Sequence, residues 1–262
     1  MTTHSDVAIA EAGAESLRVV QMTRPTRQAL LLKPTAPDPI QALMRFTPRA
    51  LFARRILVTE GNTEIGLLLG IRDNWPPHHA GKPIEQLGVA IADGNGAQAC
   101  AMALALHDLG YQTAIFRDSD TALSGDEKVS LGASGIPVIE YGGGLNTEQA
   151  IFYAAADTHV QELLNFAREE RGSDAIDNNL DLKITGLTLT EIREEFTVWE
   201  LLCGLNGLQL REAIAEVAVR KKWFKDQRIG RGIAPMVWAI ATAAPASRLA
   251  LTLAHAEAWL YG

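Results

Sequence analysis

An α/β fold, with a parallel sheet flanked by crossover helices and followed by a mostly helical subdomain, is predicted by three observations. Residues 54 to 141 alternate short β-branched apolar runs with amphipathic segments, the order that builds strand, crossover and strand. The strand-like runs are apolar at successive positions, as strands covered on both faces are. From Asn146 onward the apolar residues recur at helical spacing almost throughout.

The elements follow in order. In the first fifty residues, a lead-in, "SLRVVQMTRPTRQALLLKP" supplies a β-hairpin and "APDPIQALMRFTPRALFARR" reads as a Pro-bounded helical linker. "RILVTE" is then a strand, "TEIGLLLGIRDNW" a helix, "GVAIAD" a strand and "AQACAMALALHDLG" a helix. "QTAIFRDSD" runs from a strand into a loop, and "GIPVIEYGGG" is a further strand closed by glycines. Helical spacing returns in "TEQAIFYAAADTHVQELLNFAREERG", "VWELLCGLNGLQLREAIAEVAVRKKWF" and "ASRLALTLAHAEAWLYG". The polar "SDAIDNNLDLKITG" between the first two reads as an exposed connection.

A chain of 262 residues buries one large core, or a core plus a smaller satellite. Its formal net charge of −7 repels nucleic acid except where basic residues cluster or metal ions mediate contact. Cys100 and Cys203 lie far apart in apolar helical contexts, a pattern that suits neither a zinc site nor a disulfide framework, and both read as buried thiols. No charged segment precedes an apolar one at the start, and apolar runs are broken well before about 18 residues. A cytoplasmic protein with no membrane partner is therefore expected.

In open α/β sheets the functional crevice lies beyond the carboxyl ends of the strands. On that map Glu60 ends the first core strand, Glu64 falls in the first turn of the next helix, Asp93 ends the second strand, and Asp118 and Asp120 follow the third. Five carboxylates at one edge repel one another, and a helix N-terminus offsets only about 0.3–1 kcal/mol per charge. Divalent cations balance such a cluster, and all-oxygen ligation suits Mg²⁺, Mn²⁺ or Ca²⁺. A pair of such ions stabilises the attacking and leaving oxygens of a phosphodiester hydrolysis. Each acid also has an ordinary reading: Glu64 as a helix N-terminal acid, Asp93 as a turn former in "ADGNG", and "DSD" as a solvated loop.

Taken together, "ILVTEGNTE", "ADGNG" and "FRDSD" resemble the Toprim catalytic core of topoisomerases, bacterial primases and the OLD (overcoming lysogenization defect) nucleases. The second glutamate of "EGNTE", the "DGNG" strand end, the later "NTEQAIF" and the "WFK" near the C-terminus look most like the OLD family. The segment "TTHS" at residues 2 to 5 is similar to the switch-histidine segment closing the ABC-type ATPase domain that precedes Toprim in that family, with His4 as its remnant. The sequence contains no G-x-x-x-x-G-K-[ST] phosphate loop.

The resemblance implies a Toprim-type parallel-sheet core, two divalent cations (Mg²⁺ or Mn²⁺, with Ca²⁺ as a non-native occupant) and cleavage of DNA. Carried over position by position, it makes Glu60, Glu64, Asp118 and Asp120 metal ligands, with Glu60 also a general base. Asp93 and Glu148 match acidic positions of the family less closely. Lys225 in "KKWFKD" is implied as the catalytic lysine, with Lys222 its competitor. The implied partners are DNA and an ATPase domain of the same parent polypeptide, with room for a homodimer through that ATPase half. The implied divisions are a lead-in at 1–53, a Toprim core at 54–152, a helical subdomain or insertion at 153–220, and a return to the core at 221–262.

Arg220, Lys221, Lys222, Arg228 and Arg231 are the densest basic stretch and suit DNA phosphates. Two other enzyme readings fit less well. A haloacid-dehalogenase phosphatase motif wants Thr or Val where Ala122 stands, and a primase or topoisomerase needs further modules. A non-catalytic DNA-binding or assembly module on a Toprim scaffold is the alternative from another class.

Overall fold

The structure, a computed structural model, describes residues 3–22 and 29–262. Helix α1 (Asp6–Glu11), capped by the Ser5 hydroxyl, precedes an antiparallel pair, β1 (Val19–Met22) and β2 (Ala29–Leu32). The turn expected between them lies outside the described residues, as does Thr2 of "TTHS". His4 stacks on Phe52 with ring centroids 6.0 Å apart. Helix α2 (Pro37–Phe46) starts at the Pro-bounded segment and leads to the core.

The core is a four-stranded parallel sheet of β3 (Arg55–Thr59), β4 (Val89–Asp93), β5 (Gln112–Arg117) and β6 (Val138–Glu140), in the order β4-β3-β5-β6. Side chains alternate across it, as the strand period of two requires. Ile56, Val58 and Ile115 join an apolar cluster on one face, while Leu57, Ala114 and Phe116 join a second cluster on the other. Helices α3 (Asn62–Ile71), α4 (Ala99–Asp108) and α5 (Gly125–Ala133) are the crossovers. The α2 and α4 side chains Leu43 and Leu106 cover the first face, and those of α3 cover the second.

On that second side α6 (Thr147–Ala154), α7 (Asp157–Arg171), α8 (Ser173–Asp181), α9 (Leu189–Ile192), α10 (Phe196–Cys203), α11 (Gly207–Arg220), α12 (Gln227–Ala243) and α13 (Arg248–Tyr261) follow. Their buried side chains, from Ile151 and Leu164 to Trp199, Ile214 and Leu253, form one apolar cluster continuous with the sheet face. Among the described residues no single helix is long and apolar enough to cross a membrane.

Two local expectations are corrected, and one helix is added. The polar "SDAIDNNLDLKITG" begins as helix α8 rather than as an exposed connection. Its Ile176 and Leu180 are buried one turn apart, and the buried Asp177 accepts from Arg168 Nε at 2.9 Å and Arg193 Nε at 3.0 Å. A charged side chain paired on two sides can be buried in a helix that composition alone marks as loop. Cys100 is buried, but Cys203 is only half-buried, because α10 ends there at the left-handed Gly204. Helix α5 was not anticipated, although the Ser124 and Glu127 capping box is legible as S-x-x-E.

The tightest packing is between α3 and α12. A Cβ on Gly66 would lie 2.2 Å from the Gln227 carbonyl oxygen, and one on Gly230 would lie 2.6 Å from the Thr63 carbonyl oxygen. Only residues without side chains permit backbones this close. The crossing sets the first turn of α3 against the start of α12.

Candidate active site

The carboxyl ends of β3, β4 and β5 are tied together just beyond the strands. Glu60 N–H donates to the Phe116 carbonyl at 2.9 Å, Gly94 N–H to the Thr59 carbonyl at 2.8 Å, and Gly96 N–H to the Glu60 carbonyl at 2.6 Å. Glu60 therefore stands half-buried at the centre of the edge. The chain turns at Gly61 into α3, whose first turn buries Glu64 to 2% exposure. Asp118, the residue after β5, is 8% exposed, whereas Asp120 in the following loop is exposed.

The loop after β6 closes the group from a direction the strand pattern does not indicate. Ser119 N–H and Oγ–H both donate to the Leu145 carbonyl, at 2.8 and 3.0 Å, and Leu145 N–H returns to Ser119 Oγ at 2.9 Å. Asn146 and Gln149 form a capping box that starts α6. Its first two residues, Thr147 and Glu148, are thereby set among the acids, at 0% and 1% exposure. Thr147 Oγ1 lies 3.0 Å from Glu64 Oε1, 2.8 Å from Asp118 Oδ1 and 3.3 Å from the Tyr141 hydroxyl.

Two cations answer these charges. Arg117, buried although it ends a strand, places Nε 3.5 Å from Glu60 Oε2 and donates from its other nitrogens to Glu140 Oε2 at 3.1 Å and the Thr121 carbonyl at 2.6 Å. Lys225 lies on the short connection from α11 to α12. That connection is pinned by Thr63 Oγ1 donating to the Phe224 carbonyl at 3.1 Å, and by Arg171 donating to the Lys222 and Trp223 carbonyls at 3.0 and 3.1 Å.

Burial pushes the Asp118 carboxyl up to about 8, with Glu64 and Glu148 adding to the rise and the Thr147 hydroxyl and Lys225 opposing it. Burial also raises Glu60, against the Arg117 guanidinium, and raises Glu148, against Lys225. At Lys225 partial desolvation works to lower the ammonium, but Glu64, Glu148, Asp118 and Glu60 outweigh it and the net shift is upward. A hydroxyl carries one hydrogen, so Thr147 donates to one of its two carboxylates at a time.

The structure brings together Glu60, Glu64, Asp118, Glu148 and Lys225 of the residues expected from sequence. Asp120 lies at the exposed rim, where its charge acts on Glu60 and Glu148. Asp93 ends β4 opposite Thr59, and its Oδ1 accepts from Asn95 N–H at 2.9 Å, with Asn95 left-handed at φ 56°, as its turn-forming reading describes. Lys222 is also left-handed, at φ 55°, and exposed.

Sequence reasoning passed over Arg117, Thr147, Thr63 and Tyr141. Arg117 alone left a signal, as a charge directly after the apolar run "AIF" at the end of β5.

As they stand, no three acidic, histidine or cysteine side chains among the described residues converge closely enough to share an ion. The donor set nonetheless fits a hard divalent cation. It is all oxygen, and two of its buried oxygens, Glu60 Oε2 and Glu148 Oε1, have no hydrogen-bond partner. Leaving a buried acceptor unpaired costs about 1–3 kcal/mol, which a bound cation would relieve.

Residues 51–120 match the domain family described as overcoming lysogenization defect protein-like, TOPRIM domain. Residues 51–120 carry an OLD-like Toprim domain. The match runs through β3, β4 and β5 and ends at Asp120, so within this Toprim domain it takes in Glu60, Glu64, Asp93 and Asp118, while Thr147, Glu148 and Lys225 lie beyond it. Among solved structures, the C-terminal region of the Xanthomonas campestris pv. campestris OLD protein aligns with 17% identity and a TM-score of 0.32, over 73% of this chain and 98% of that one. No curated protein matches the chain.

Proposed function

We propose that this Toprim domain is the catalytic unit of a divalent-metal-dependent endodeoxyribonuclease that works beside an ATPase domain of the same parent polypeptide. The observation that carries the reading is the placement of the exposed Lys225 within electrostatic reach of the buried or half-buried Glu60, Glu64, Asp118 and Glu148, two of whose oxygens lack a hydrogen-bond partner. Glu60, Glu64, Asp118, Asp120 and Glu148 would hold two cations, Mg²⁺ or Mn²⁺, which supply Lewis acidity at a phosphodiester. Asp93, whose Oδ1 accepts from Asn95 N–H, keeps its second oxygen as a further candidate ligand.

The remaining steps belong to side chains. Glu60, with its carboxyl raised, is the base that takes a proton from the attacking water. Lys225 stays protonated among the acids and stabilises the negative charge that develops on the phosphate. Arg220, Lys221 and Lys222 are exposed at the end of α11, next to the lysine-bearing connection, and offer contacts for the DNA backbone.

Nicking of supercoiled plasmid in Mg²⁺ or Mn²⁺, compared with Asp118→Asn and Lys225→Ala, tests the reading. Metal-dependent nicking that both substitutions abolish is the expected result. Unchanged nicking in both variants would reject the site, and no nicking by the parent would favour a DNA-binding or assembly module.

A further inference from the structure

Thr147 has no role in the acid pattern and lies outside the segment that matches the Toprim family. It is fully buried, and its Oγ1 touches Glu64, from the first turn of α3, and Asp118, from the end of β5. These two carboxylates come from separate elements. Thr147 is itself held from several sides: by the Asn146 and Gln149 capping box, by the three Ser119 and Leu145 hydrogen bonds one turn earlier, and by the Tyr141 hydroxyl behind it. Its β-branched side chain is stiff about χ1, so an anchored backbone fixes where the hydroxyl points.

We infer that Thr147 is a positioning residue for divalent-cation binding. Its hydroxyl, set between one oxygen of Glu64 and one of Asp118, donates to one of them at a time, and so fixes the carboxylate it holds and the spacing of the two as cation ligands. This rests on the proposed metal-dependent function. Space-filling alone would be served equally by valine, which has nearly the same shape, whereas orientation requires the hydroxyl. Partners that orient metal ligands contribute about 10–100-fold in affinity when removed.

Mn²⁺ titration of the whole protein, followed by the electron paramagnetic resonance signal of free Mn²⁺, measures the effect directly. The variants are Thr147→Ser, Thr147→Val and Thr147→Ala, with thermal unfolding in chelator as the check on folding. The serine variant is expected to bind nearly as the parent does, and folded valine and alanine variants about 10–100-fold more weakly. If the valine variant does not fold, serine against alanine makes the same comparison. Parental Mn²⁺ affinity without the hydroxyl, or a serine variant as weak as alanine, would overturn this inference alone. A parent that binds no Mn²⁺ would overturn the metal reading and this inference with it.

Discussion

Replacing Gly66 by alanine tests whether the α3 and α12 crossing sets the geometry of the acids. The new Cβ would lie 2.2 Å from the Gln227 carbonyl oxygen, 2.9 Å from its carbonyl carbon and 3.0 Å from the Arg231 backbone nitrogen. All three are backbone atoms, so no side chain can swing away. Ordinary contact begins near 3.4 Å, so the two helices must part by about 1.2 Å. Overpacking of this kind costs about 1–3 kcal/mol, offset by up to about 1 kcal/mol from alanine's better helix propensity. A net loss of about 1–2 kcal/mol is expected, and at about 2–4 °C per kcal/mol the melting temperature falls by several degrees.

The effect on cleavage should exceed the effect on stability. Glu64 lies just before Gly66, and Lys225 just before Gln227, so parting the helices moves the acid and the lysine away from each other. A displacement near 1 Å lowers rate by about 10²-fold in a preorganised site. Urea denaturation followed by circular dichroism gives the first quantity, and metal-dependent plasmid nicking at a temperature where the variant is folded gives the second. Gly66→Ala with parental stability and parental nicking would refute the argument.

Other outcomes follow from the same structure. Gly132→Ala, on α5 where a Cβ meets no atom within 4 Å, should stabilise by about 0.4–1 kcal/mol in the same denaturation assay. Arg168→Ala removes one of two partners from the buried Asp177 and should cost about 3 kcal/mol, the low end for breaking a buried pair because Arg193 remains. In chelator, the raised Asp118 means that the folded protein holds a proton the unfolded chain has released between its ordinary carboxylate range and about pH 8. Stability should therefore fall as pH rises through that window, and Asp118→Asn should flatten a plot of melting temperature against pH. Thr63→Val leaves the Phe224 carbonyl without its donor and should cost about 1–3 kcal/mol, read by denaturation together with slower nicking.

The strands were legible because "ILV", "VAIA" and "TAIF" are apolar on both faces, and their acids followed from position alone. The order β4-β3-β5-β6 was not, since it is decided by crossovers that periodicity does not encode. Helix α8 was hidden because its polar composition is compensated by arginines from α7 and from the segment after α9. Glu148 and Lys225 were reached through resemblance, because no spacing in the chain relates them to Glu60. Thr147 could not be found either way: a threonine beside a helix cap is ordinary, and only the folded loop sets its hydroxyl between two carboxylates.

The close approach of Gly66 and Gly230 has a consequence for synthesis on the ribosome. All the proposed acids leave the exit tunnel well before the residues that complete their surroundings. Until Phe224 accepts from Thr63 and α12 docks on α3, Lys225 is not beside the carboxylates. A nascent chain stopped short of α12 thus carries every acid yet has no assembled cleft, which ties the onset of any cutting to the synthesis and docking of α12.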